Sequence, residues 1–151
     1  YQRIKAYTEG FIEANSSLFH KRVADGRIRD CHGDLHAAHI CFDNGICIYD
    51  CIEFNDRFRY VDVAGEVAFL SMDIDRLGRS DLADAFVKAY IEHSGDTGLA
   101  GLLNFYKCYF AFVRGKVAGF KLDDPLVPED ERAEALALAQ RYFELAEAYT
   151  R

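Results

Sequence analysis

The sequence predicts an α+β fold that is mostly α, a helical body carrying one small β-hairpin, and three observations predict it. Apolar residues recur at helical spacing through five stretches of the chain. Between the first and second of these the pattern breaks into short apolar runs around Asn44-Gly45, a pair that favours the positive φ angles of a hairpin turn. The 151 residues are half hydrophobic and 28% charged, enough for one core, with no repeat or second domain visible.

Taken in order, Ile4, Tyr7, Phe11, Leu18 and Phe19 define a first helix running to about Val23, where Asp25-Gly26 stops it. Ile40-Cys41-Phe42 and Ile46-Cys47-Ile48-Tyr49 form the hairpin arms. Asn55-Asp56-Arg57-Phe58-Arg59 reads as a charged surface connection laced by local salt bridges. Helices are expected over 61–75, 81–94, 98–120 and 129–149. The 98–120 segment carries Leu103, Tyr106, Phe110, Val113 and Val117 on one face and is expected to be the core helix. Gly115 and Gly119 within it read as points of close helix contact, and Pro128 with Glu129, Asp130 and Glu131 starts the last helix.

Charge and composition narrow the partners. Eighteen basic and 25 acidic residues leave a net charge of −7, with the acids spread along the chain, which disfavours a nucleic-acid backbone as the main ligand. No apolar run reaches the roughly 20 residues of a membrane span and no signal segment opens the chain, so the cytoplasm is the expected location. Five cysteines without CxxC spacing are expected to be reduced. The chain opens on Tyr1, already within helical periodicity, and so is expected to have been cut from a longer one.

The chemistry concentrates between His32 and Asp50. With Asn44 and Gly45 as a two-residue loop, Asp43 faces Ile46, Cys41 faces Ile48 and His39 faces Asp50; Cys41 and Cys47 then lie on opposite faces and cannot pair. Directly opposed residues have Cβ atoms about 4.5–5.5 Å apart, so His39 and Asp50 could grip one cation. Upstream, His32-Gly33-Asp34-Leu35-His36 is a tight polar loop in which Gly33 allows an unusual backbone angle beside Asp34. A carboxylate at the mouth of such a hairpin suits a general base that takes the proton of an attacking hydroxyl.

These residues resemble a known family. His32-Gly33-Asp34-Leu35 with a ligand-type residue at 39, followed by Ile48-Tyr49-Asp50, is similar to the HGDxxxxN and hydrophobic-x-D motifs of the aminoglycoside phosphotransferase and choline kinase group, which is protein-kinase-like in fold. The resemblance implies a kinase-like C-terminal lobe and ATP-dependent phosphoryl transfer to the hydroxyl of a small molecule. It implies Asp34 as catalytic base, Asp50 as principal Mg²⁺ ligand, and Asp62 as a brace of the catalytic loop; His32 is itself read as a structural support of that loop, packing and hydrogen-bonding to backbone. The wording from Cys51 to Arg59 resembles an uncharacterised bacterial branch in which the domain is often fused to a P-loop kinase-like domain.

Two departures stand out. Position 39 holds His where the family has Asn, and imidazole suits Mn²⁺, Zn²⁺ or Fe²⁺ better than Mg²⁺. No Gly-rich phosphate loop or strand lysine of the family's N-terminal lobe is present, so the chain corresponds to the C-terminal lobe and is expected not to turn over ATP by itself. Two rival readings stay open. One is a zinc hydrolase built on the HxDxHxxH string of His32, Asp34, His36 and His39; the other is a non-catalytic regulatory or interaction domain derived from a kinase lobe. The acceptor substrate is not legible.

Overall fold

The first helical stretch is two helices. In the computed structural model, which describes residues 1–151, α1 (Gln2–Ala14) and α2 (Ser16–Ala24) meet at Asn15, whose side-chain amide donates to the Phe11 carbonyl at 2.9 Å. An asparagine side chain that competes for helix carbonyls favours a break over continuation. The chain then forms β1 (Ile28–Asp30), the loop from Cys31 to His36, and a hairpin of β2 (Ile40–Phe42) and β3 (Ile46–Ile48). A short helix α3 (Asp56–Arg59), N-capped by Asn55, leads into β4 (Tyr60–Asp62). β4 returns antiparallel to β1 with Ile28 opposite Asp62 and Asp30 opposite Tyr60. This second two-stranded sheet carries no alternating apolar signal and was not expected. Its pairing is reinforced by Arg59, whose guanidinium donates to both Asp30 oxygens at 2.8 and 2.5 Å, a long-range pair in place of the local network expected for this connection.

The rest is helical: α4 (Val63–Arg76), α5 (Ser80–Ser94), α6 (Leu103–Gly119) and α7 (Glu129–Ala148), with 3-10 turns at Thr97–Leu102 and Phe120–Asp123. No helix is long and apolar enough to cross a membrane. The fold is therefore α+β and mostly α.

The centre of the body is α4, not α6. All but one of its residues from Ala64 to Asp73 are buried, because Ala64, Gly65, Ala68 and Ser71 leave room for neighbours on every side. α6 packs against it and against α7, while α5 covers its other flank. One cluster joins Ile4, Phe69, Met72, Cys108, Ala111 and Tyr142; another joins Val67, Val87, Leu99 and Leu102. Each large side chain so buried contributes about 1.5–3 kcal/mol. The face of α6 that enters the core is Phe105, Cys108, Ala111 and Gly115. The expected core stripe lies beside it: Tyr106, Phe110 and Val113 are only half-buried and Val117 is exposed. Gly115 is a close helix contact, since a Cβ there would meet the Phe143 ring of α7 at 2.8 Å, whereas nothing lies within 4 Å of a Cβ at Gly119.

Buried ion pairs tie distant elements together. Arg22 of α2 donates to both Asp62 oxygens, at 2.9 and 2.6 Å, and to Asp96 at 2.5 Å, with all three side chains almost fully buried. Removing one member of such a set costs about 3–5 kcal/mol, because its partners stay buried and uncompensated. Asp75 of α4 likewise receives Lys107 of α6 at 2.8 Å and the Tyr149 hydroxyl at 2.6 Å.

Candidate functional site

β1 and β4 deliver the chain into the loop from Cys31 to His36, and α4 holds that loop from below. The Cys31 amide donates to Arg59 and the Ile52 amide to the His32 carbonyl, so both flanks are fixed to the 52–59 segment. Gly33 has φ +84°, and a Cβ there would lie 2.7 Å from the Phe58 carbonyl oxygen; only glycine fits this turn. The amides of His32 and Gly33 donate to the two oxygens of Glu66, at 2.7 and 3.2 Å. Burial pushes the Glu66 carboxyl above the usual range, partly offset by those two N–H donors.

His32 bonds to backbone on both sides of its ring. Its Nε2 donates to the Tyr49 carbonyl at 2.7 Å, and its Nδ1 accepts the Asp34 amide at 3.3 Å, which joins loop to hairpin and fixes the ring tautomer. Asp62 does not reach the loop itself. It caps α4 by accepting the Ala64 amide at 2.9 Å and spends its other bonds on Arg22. The direct brace is Glu66, one turn further along the same helix.

The hairpin register differs from the expected one by one residue. Ile40 faces Ile48, Cys41 faces Cys47 and Phe42 faces Ile46, so the connection is the three residues Asp43, Asn44 and Gly45, with Asn44 at φ +51°. Cys41 and Cys47 are thus opposed on one face, both exposed and unbonded, contrary to the two-residue loop. His39 lies opposite Tyr49, whose amide donates to its carbonyl at 3.1 Å. Asp50 nevertheless comes within 3.4 Å of His39 Nε2. It does so by leaving the strand at φ +63°, a conformation that costs a non-glycine residue about 1 kcal/mol.

The donor atoms of position 39 fit a cation. His39 Nδ1 donates to the Asp34 carbonyl at 3.0 Å, so in the neutral ring the lone pair of Nε2 faces the Asp50 carboxylate. The 3.4 Å between these two atoms is close to the separation of two ligands each about 2.1 Å from one metal ion. Asp34, His36 and His39 also place one ligand atom each within 4.8 Å of one another. His36 is buried, lies against His39 with ring centroids 3.8 Å apart and planes tilted by 37°, and lies 3.6 Å from Asp34. Burial and the Arg114 guanidinium push its pKa down, which favours the neutral, ligating ring. The 3-10 turn carrying His39 is pinned by Asp73 of α4, which accepts the Ala37 amide at 3.0 Å.

Asp34 borders two cavities. One, of about 600 Å³, is lined by Asp34, Asp50, Glu53 and the chain between Cys51 and Phe54, and is strongly acidic. The other, of about 400 Å³, runs from Gly33 and Asp34 along the stripe of α6 that was expected in the core, and holds Arg57 and Arg114. Arg114 approaches the Asp34 carboxylate at 3.7 Å. Glu66, Asp73 and Arg114 were not anticipated. A local signal existed only for Arg114, a lone cation within the apolar stripe of Phe110, Val113 and Val117.

The chain is 43% identical over 117 residues, 77% of its length, to uncharacterised proteins of Mycobacterium tuberculosis and Mycobacterium bovis. It spans about a quarter of the length of those relatives. No protein-family model matches the sequence. No solved structure matches it.

Proposed function

We propose that this chain is the catalytic-loop portion of an ATP-dependent phosphotransferase acting on a hydroxyl group of a small molecule. The observation that carries the reading is the position of Asp34 as the one ionisable residue shared by an acidic cavity and a largely apolar one. In the reading, the acceptor enters from the apolar side and the nucleotide phosphates lie on the acidic side. Asp34 takes the hydroxyl proton as the acceptor oxygen bonds to the terminal phosphorus and the bond to the departing diphosphate breaks. Asp50 and His39 would hold the divalent cation, which supplies neutralisation of phosphate charge; the imidazole favours Mn²⁺ over Mg²⁺. His32, Glu66 and Asp73 position the loop.

On this reading a nucleotide-covering lobe works together with this chain, and residues 1–151 by themselves are expected not to turn over ATP. In full-length protein, Asp34→Asn is expected to lower ATP-dependent phosphorylation at least 100-fold with folding retained, the range of a lost general base. Undiminished transfer by that variant would overturn the reading. His39→Asn is expected to shift metal preference from Mn²⁺ toward Mg²⁺; unchanged metal dependence would remove His39 from the site.

One observation favours a second reading. The proximity of Asp34, His36 and His39 gives a three-ligand set of the kind zinc hydrolases use. Stoichiometric zinc in purified protein, with hydrolysis that needs no nucleotide, would select it.

A further inference from the structure

The 400 Å³ cavity beside Asp34 has walls that discriminate between acceptors. Its size is at the lower end of small-molecule sites, suited to an acceptor of one or two rings. Ile52, Phe58, Phe110 and Val113 line it with flat apolar surface. Four charged side chains reach it: Asp34, Arg57, Glu66 and Arg114.

Both Glu66 oxygens are occupied by the His32 and Gly33 amides, and Asp34 already has Arg114 at 3.7 Å. On the phosphotransferase reading Asp34 is taken by the acceptor hydroxyl, and Glu66 is engaged with the loop, so neither carboxylate is the natural partner of a further charged group on the acceptor. Arg57, in contrast, is exposed, lines the cavity and has no carboxylate partner within 4 Å, which leaves its guanidinium available to a ligand. A guanidinium fork of that kind matches a carboxylate or phosphate.

We infer that the acceptor, on the phosphotransferase reading on which this rests, is a hydroxyl compound with a flat apolar body and an anionic group, and not a polycationic amino sugar. The hydroxyl points to Asp34, the body lies on Phe58, Phe110 and Val113, and the anionic group pairs with Arg57. An amino sugar would instead bring ammonium groups against two guanidinium groups and apolar walls.

Three probes of one shape separate the charge effect: 4-(hydroxymethyl)benzoate, 1,4-benzenedimethanol and 4-(aminomethyl)benzyl alcohol, with kanamycin as the polycation. They are titrated without nucleotide into the 151-residue chain and into the full-length protein, with binding read by ligand-observed NMR. The benzoate is expected to bind about 10-fold more tightly than the amine, the range of one charge-assisted hydrogen-bonded pair. Arg57→Gln is expected to reduce that gap below about 3-fold while leaving the neutral diol unchanged, and Val113→Trp to block all three. Equal or tighter binding of the amine or kanamycin, an Arg57→Gln variant that keeps the gap, or no binding by any probe would each overturn the inference.

The two claims fail separately. Binding as expected, with phosphoryl transfer undiminished in Asp34→Asn, sinks the phosphotransferase reading alone. Asp34-dependent phosphorylation of an amino sugar sinks this one alone.

Discussion

Glu66→Gln isolates the contribution of α4 to the loop from Cys31 to His36. The carboxylate accepts two backbone N–H groups, His32 at 2.7 Å and Gly33 at 3.2 Å. The isosteric amide keeps one acceptor oxygen and turns an NH₂ group toward the other amide, donor against donor. A hydrogen bond to a charged group contributes about 1.5–3 kcal/mol, and an unsatisfied buried donor costs about 1–3 kcal/mol. Against this, the amide avoids desolvating a charge, the effect that pushes the Glu66 pKa up. The balance is a loss of about 2 kcal/mol at pH 7, or about 4–8 °C in Tm for a chain of this size.

Thermal unfolding followed by circular dichroism measures the stability, and hydrogen exchange at His32 and Gly33 locates the change. The pH dependence adds a signed test. A carboxyl whose folded pKa is raised binds protons more readily in the native state, so stability falls as pH rises from the ordinary glutamate value through the higher folded one. Glu66→Gln flattens that segment of the stability profile. Unchanged Tm together with unchanged exchange at both amides would refute the bracing role.

Three other outcomes follow from the same geometry. Asp73→Asn weakens the Arg76 bond of 2.7 Å and the hold on the Ala37 amide, costing about 2 kcal/mol at pH 7. Burial raises the Asp73 pKa, but Arg76 and the Ala37 amide outweigh it and hold the pKa below the usual range. The stability difference from wild type should therefore be full above the ordinary aspartate value near 3.9 and shrink as pH falls through the lower folded value; a constant difference down to pH 3 would count against it. Gly33→Ala forces a side chain into positive φ and against the Phe58 carbonyl, and is expected to lower Tm by about 4–8 °C and shift the NMR resonances of residues 52–58. Gly115→Ala pushes a methyl into the Phe143 ring, with an expected loss of about 1–3 kcal/mol in urea unfolding; a neutral result would mean that α6 and α7 separate easily.

What the sequence made legible depended on how local the cause was. Helix positions followed from periodicity, and Asn44-Gly45 marked the hairpin, but turn residues show where a chain reverses and not how many residues it spends doing so. Asp43 joined the loop and the register moved by one, which brought Cys41 opposite Cys47. His39 and Asp50 still meet, through a left-handed residue that no strand pattern announces. The α6 stripe was visible as apolar, yet a face turned to a ligand-sized cavity and a face turned to the core are written in the same residue types. Glu66 and Asp73 belong to long-range bonds, and their partners are backbone amides, which leave no trace in side-chain spacing.

The two central helices divide their tasks. The loop from His32 to His39 is fastened at Glu66 and Asp73, two turns apart on α4, while α6 supplies one wall of the apolar cavity through Tyr109, Phe110, Val113, Arg114 and Val117. A substitution at Val113 or Val117 can reshape the cavity without touching a fastening point. Reach and selectivity are therefore modular in this fold: a descendant chain could exchange one helix face for another and present different chemistry to the same unmoved carboxylate.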